Sequence, residues 1–143
     1  MNLYIASDHA GFSYKEKLKE ELIKLGYTVK DFGPSSTESV DFPDYAHPLA
    51  KIVAADNNSK GILICGTGNG MCMAANKHKG IRAALCWTNE IAVLVREHND
   101  ANILCIPARF ISYEETLSIV NTFFKTVFSG GRHINRISKI DIK

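Results

Sequence analysis

Five short apolar runs alternate along this chain with stretches of helical periodicity, and that alternation predicts an α/β fold. The expected architecture is a single-domain, doubly wound, Rossmann-like parallel sheet of five strands, with helices on both faces and a C-terminal helix. Two observations support it. The run at residues 62–65, Ile-Leu-Ile-Cys, passes straight into a glycine-rich turn and a helix start, the join expected of a parallel sheet. The composition, 45% hydrophobic and 22% charged over 143 residues, suits one domain with a sizeable core and leaves no repeat or low-complexity segment.

The first strand is Leu3-Tyr4-Ile5-Ala6-Ser7, ending at Asp8-His9-Ala10-Gly11. A helix follows to Leu25, with Leu18, Leu22 and Leu25 as an apolar stripe among Lys and Glu and Gly26 as its stop. Residues 27–31 form the second strand. Residues 32–44, with Gly33-Pro34-Ser35-Ser36, form a long loop of the kind that often carries function. A helix is expected at 45–55, where Pro48 is tolerable only in the first turn. After the third strand, residues 81–87 form the fourth. Thr88 caps a helix over 89–97 with Ile91, Leu94 and Val95 inward, and His98-Asn99-Asp100 breaks it. The fifth strand, 102–106, stops at Pro107, and Ser112 caps a helix through Phe124. The tail starts a last helix near Arg132, where Arg132 and Arg136 share one face. Taken alone, they read equally well as solvated arginines.

In such a sheet, sites lie at the carboxyl ends of the strands. Asp8 and His9 after the first strand, residues 65–70 after the third and Arg109 after the fifth would share that edge. The loop Cys65-Gly66-Thr67-Gly68-Asn69-Gly70 has glycine at alternate positions, which lets backbone N–H groups turn inward toward a negative group at a helix start. Cys65 at the strand tip is then either a small buried apolar residue or a thiol whose pKa the amides lower. The glycine pattern favours the reactive thiolate at an open rim. A nucleotide P-loop is excluded, because Gly70-Met71-Cys72 lacks the Lys and the hydroxyl, and a dinucleotide fingerprint fits poorly at Met71. A cysteine phosphatase would need Arg where Met71 stands. What remains is a thiolate base beside donors for an oxyanion.

The net charge of +2 comes from lysines spread along amphipathic helices, read as solvated faces, and gives no case for nucleic acid. No apolar run approaches the roughly 20 residues of a membrane span, and residues 1–3 lead directly into a strand without signal-peptide organisation, so a cytoplasmic protein is expected. Cys65, Cys72, Cys86 and Cys105 lack metal-ligand spacing, and neither metal nor cofactor is expected.

Together Ser7-Asp8-His9-Ala10-Gly11-Phe12, the loop 65–70, Ala74-Ala75-Asn76-Lys77, Arg96-Glu97-His98-Asn99-Asp100-Ala101-Asn102 and Gly131-Arg132-His133 closely resemble the type-B ribose-5-phosphate isomerases, a family that also holds galactose-6-phosphate isomerase subunits. The resemblance spans the chain. It implies interconversion of ribose 5-phosphate and ribulose 5-phosphate through an enediolate, without metal or cofactor. By resemblance Cys65 is the base at C2 with Thr67 beside it, and the amides of Gly66, Gly68, Asn69 and Gly70 hold the enediolate oxygen. His98 is the acid that opens the sugar ring, a role that suits an imidazole. Asp8 and Asn99 bind sugar hydroxyls, and His9, Arg109, Arg132 and Arg136 clamp the phosphate. Taken alone, Asp8 reads as a turn residue and His98 as a helix-end residue. Some family members carry a Glu at the position of Met71 in place of the cysteine; here Cys65 is the only evident base in the loop. A six-carbon phosphosugar, allose or galactose 6-phosphate, and a non-catalytic sugar-phosphate sensor are the alternatives. Because His98 lies between a helix and the strand it feeds, it should sit at the edge opposite Cys65, so a homodimer with shared sites, alone or within a tetramer, is expected.

Overall fold

The computed structural model describes residues 1–143. Strands β1 (Asn2–Ser7), β2 (Thr28–Asp31), β3 (Ser59–Cys65), β4 (Ala83–Leu85) and β5 (Ile103–Pro107) form one sheet in the order β2-β1-β3-β5-β4, parallel throughout. Six helices accompany it: α1 (Phe12–Lys24), α2 (Phe42–Ala55), α3 (Asn69–Ala75), α4 (Asn89–Asn99), α5 (Tyr113–Lys125) and α6 (Arg132–Ile137). The expected fold class holds.

Strand β3 explains the layering. Its side chains alternate between faces, and both faces are covered, so the run is apolar without interruption. Ile62 and Ile64 enter a core with Leu18, Leu22, Ala92, Ile119 and Phe123, which places α1, α4 and α5 on one side. Leu63 and Cys65 enter a second core with Leu49, Val53, Met71 and Ala75, which places α2 and α3 on the other. The strand order reverses between β1 and β3, so the crevice of a doubly wound sheet opens between Asp8 and Cys65.

Several boundaries differ from expectation for identifiable reasons. Helix α2 starts at Phe42, three residues early, because Pro43 fits the first turn; Pro48 then lies inside the helix. An interior Pro costs about 3 kcal/mol, and burial of Ala46, Leu49, Ala50 and Val53 on one stripe offsets it. Strand β4 shortens to three residues, and α4 extends through His98 and Asn99 to a cap at Asp100. Leu94 is exposed, and the buried positions of α4 are Ala92 and Arg96. Leu25 is likewise exposed, because the chain already leaves the helix there: Tyr27 N–H donates to Leu22 O and Gly26 N–H to Ile23 O, a Schellman close with Gly26 at φ 90. Lys15 corrects the reading of lysines as solvated. It is fully buried, with Nζ 2.7 Å from Asp31 Oδ2 and 2.6 Å from Glu16 Oε1.

Candidate active site

The carboxyl edge is assembled by backbone bonds between neighbouring strand exits. Asp8 N–H donates to Ile64 O at 3.1 Å, Ala108 N–H to Cys65 O at 2.9 Å and Arg109 N–H to Gly66 O at 3.0 Å. Asp8, His9, Cys65, the glycine loop and Arg109 therefore meet at one rim, as expected. Asp8 is nearly buried, and its Oδ1 accepts from Gly11 N–H at 3.0 Å, so the turn reading holds as well. Gly11 has no room for a side chain, since a Cβ there would lie 2.3 Å from Ile64 O. His9 Nδ1 accepts from Val40 N–H at 3.3 Å, which ties it to the long loop before α2. Arg109 is exposed, makes no ion pair and lies alongside Gly66, where a Cβ would come within 3.3 Å of its Nη1.

The loop is shaped by Gly68, which has φ 74, and by Gly70, over which the Phe42 ring closes. Thr67 and Asn69 are exposed, and the Thr67 hydroxyl accepts from Asn69 N–H at 3.2 Å. A cleft of about 270 Å³ beside the loop is lined by Thr67, Asn69, Leu85, Trp87, Pro107 and Phe110.

Cys65 departs from expectation in two ways. It is only 5% exposed, packed with Met71 in the core beneath α2 and α3, rather than standing at an open rim. Its pKa is raised, not lowered: burial is the largest cause, and the charge of Asp8 adds to it. The backbone N–H groups of Met71, Gly68 and Thr67 oppose that rise, so the amide nest exists but loses to desolvation. The resting group is a thiol. Sequence reasoning set Met71 aside for lacking a titratable group and missed its amide, one of the orphan N–H groups that every helix start leaves free.

The remaining expected residues lie elsewhere. Helix α4 runs back toward the amino ends of the strands, and Gly61 N–H donates to Asn102 O at 3.0 Å just after it. His98 stacks on His133, ring centroids 4.5 Å apart and planes 13° apart, and Ser129 N–H donates to Glu97 O. His98, Asn99, Arg132 and Arg136 thus form a second cluster near the amino ends of β3 and β5. Burial and the charges of His98, Arg132 and Arg136 hold His133 below the ordinary histidine range. From Gly61, level with Ile103, to Cys65 is four residues of strand, about 13 Å at 3.3 Å each, so the two clusters lie at opposite edges. His133, stacked on His98, was not among the expected site residues.

Comparison with known proteins agrees with this architecture. The family described as Ribose/Galactose Isomerase matches residues 3–140. The chain belongs to that family. A probable ribose-5-phosphate isomerase B of Mycoplasma pneumoniae is 49% identical over 139 residues, 96% of this chain and 91% of its own. The ribose-5-phosphate isomerase B of Escherichia coli K12 is 41% identical over 133 residues, 93% and 89% of the two chains. Among solved structures, the isomerase of Thermotoga maritima superposes with a TM-score of 0.95 at 51% identity, covering 98% of this chain and 97% of that one. The Mycoplasma genitalium isomerase B, solved with bound ribulose-5-phosphate, gives 0.95 at 45% identity, covering 97% and 93%. The family members are isomerases, and this chain keeps their fold along nearly its whole length.

Proposed function

We propose that this chain interconverts ribose 5-phosphate and ribulose 5-phosphate by proton transfer through an enediolate, as a cytoplasmic homodimer whose sites each draw on both chains. The observation that carries the reading is the carboxyl edge itself: Cys65 faces the amides of Thr67, Gly68 and Met71, with Asp8 beside it and Arg109 free to meet an anion. Cys65 takes the proton from C2 once ionised. The loop amides then hold the oxyanion, an interaction worth about 3–4 kcal/mol per donor. Asp8 orients sugar hydroxyls with the carboxylate oxygen left over from Gly11.

The acid for ring opening is His98 of the second chain, and Asn99, Arg132 and Arg136 arrive with it. A site closed by one chain would have to span the sheet from edge to edge. A twofold dimer instead sets the amino-edge cluster of one chain against the carboxyl edge of the other. All four cysteines are free thiols, which suits the reducing cytoplasm.

A coupled assay with ribose 5-phosphate, allose 6-phosphate and galactose 6-phosphate tests the reaction and its substrate. The five-carbon sugar should turn over fastest, and Cys65→Ala should lower its rate by about 10²–10⁴-fold, the usual worth of a general base. Mixed Cys65→Ala and His98→Ala chains should regain activity, because the hybrid holds one intact site. An active Cys65→Ala enzyme would remove the thiolate, and a hexose phosphate preference would move the substrate class.

A further inference from the structure

The segment Arg96-Glu97-His98-Asn99-Asp100-Ala101-Asn102 carries more structure than its two site residues require. Asp100 ends α4 at φ 46, the only non-glycine residue of the chain with a positive φ. Helices that end this way usually place Gly or Asn there. Here an aspartate is held from two sides. Arg96, 6% exposed, donates from Nη1 to Asp100 Oδ1 at 2.8 Å and to Ala101 O at 2.6 Å, while its Nε reaches Thr126 O and its guanidinium lies over the Phe123 ring. Arg82, which leads into β4, donates from Nη2 to Asp100 Oδ2 at 3.2 Å and from Nε to Asn99 O and Asp100 O, both at 3.0 Å. Asn102 Oδ1 holds the Arg82 backbone N–H at 2.8 Å.

The two guanidiniums therefore meet the last carbonyls of α4 and both carboxylate oxygens at once. That exceeds what a cap needs, since water or one basic side chain satisfies an exposed helix end. The grip fixes the backbone one and two residues after Asn99 and His98. We infer that Asp100, clamped by Arg82 and Arg96, is a positioning residue that sets how His98 and Asn99 leave the end of α4 toward the partner's Cys65. The inference rests on the shared site proposed above and deepens it.

Three variants test it, with melting temperature read beside activity. Asp100→Asn keeps the left-handed turn and drops the charge. Asp100→Gly relieves the backbone and drops both ion pairs. Arg82→Gln loosens the grip from outside α4, leaving the helix's own sequence intact. Each should lower kcat by about 10- to 100-fold while the fold persists, the scale of loss from misplacing a reacting group by about 1 Å. Each should also complement Cys65→Ala in mixed dimers and fail to complement His98→Ala, a pattern that general destabilisation does not produce. Wild-type kcat in Asp100→Gly and Arg82→Gln, or equal rescue by both partners, overturns the inference while leaving the shared site standing. If Cys65→Ala and His98→Ala themselves do not complement, the shared site falls and this inference with it. Should the Asp100 variants not fold, Arg82→Gln decides by the same two readouts.

Discussion

The two edges of the sheet are built by opposite means. At the carboxyl edge, Cys65 and the amides around it sit on one unbroken stretch, β3 to α3, where tight packing against glycines sets the geometry. At the amino edge, His98, Asn99, Arg132 and Arg136 come from two helices, and ion pairs and ring stacking set the geometry. The difference teaches what each edge tolerates. A packed loop accepts almost no added atom, whereas a charged cluster accepts added volume and fails when a charge is removed.

The glycines give the sharpest way to break that contrast. Gly68 and Gly131 both have positive φ, at 74 and 56. A Cβ on Gly68 would lie 2.3 Å from Leu85 Cδ1 and 3.2 Å from Ile106 C, while one on Gly131 meets nothing within 4 Å. Gly68→Ala should therefore cost left-handed strain plus overpacking, about 2–5 kcal/mol in all. Gly131, with ψ −132, lies outside the left-handed helical well, and Gly131→Ala should cost backbone strain alone, about 1–3 kcal/mol. Denaturant midpoints of the two variants check this. A loss in Gly68→Ala no larger than left-handed strain, about 1–2 kcal/mol, would mean that packing around the loop is slack.

The same contrast governs what could be read from the chain without coordinates. Cys65, Gly66, Gly68 and Gly70 were legible because strand tip, turn and helix start are contiguous, and Thr88 and Ser112 because a cap contacts only its own first turn, as Ser112 does with Glu115. The grip of Arg82 on Asp100 was not legible. It depends on β5 inserting between β3 and β4, which no local pattern encodes. Lys15 was misread because its partner Asp31 lies on the next strand, and Pro48 because a buried stripe outweighs a local penalty. The pKa of Cys65 was misjudged in sign, since glycine spacing announces the amides but says nothing of how much protein covers the sulfur.

That sign carries a prediction of intermediate size. A raised thiol is protonated at rest, so the fraction of base grows as the pH rises, and kcat/KM should climb on the alkaline side of neutrality. Asp8→Asn removes one of the two causes of the rise. The amide oxygen can still accept from Gly11 N–H, so the turn survives while the charge beside Cys65 is lost. The alkaline limb should then shift to lower pH, with KM raised by the weaker grip on sugar hydroxyls. A limb that stays in place in Asp8→Asn would mean that the group governing the profile is not Cys65, and that the carboxyl edge owes its reactivity to another residue.

The smallest effect separates two histidine pairs, one on each face of the sheet. On the α2–α3 side, His47 Nδ1 and His78 Nε2 are 2.8 Å apart with rings inclined at 61°, sharing a hydrogen bond that needs one neutral acceptor nitrogen. On the α4–α6 side, His98 and His133 stack in parallel, a contact that requires no particular proton. Burial first, then the charges of His47 and Lys51, holds His78 below the ordinary histidine range. The unfolded chain therefore binds the proton more readily, and the contribution of His78 to stability is present above about pH 6.5 and lost as the pH falls below it. Because His78 is only partly buried, the loss should be a small drop in melting temperature between pH 7 and pH 5. His78→Gln places an amide nitrogen where Nε2 stood and removes the titration, so its melting temperature should vary less over that range. An undiminished acid dependence in His78→Gln would assign the lability to His133, whose pKa is lowered in the same direction, and so to the α4–α6 face.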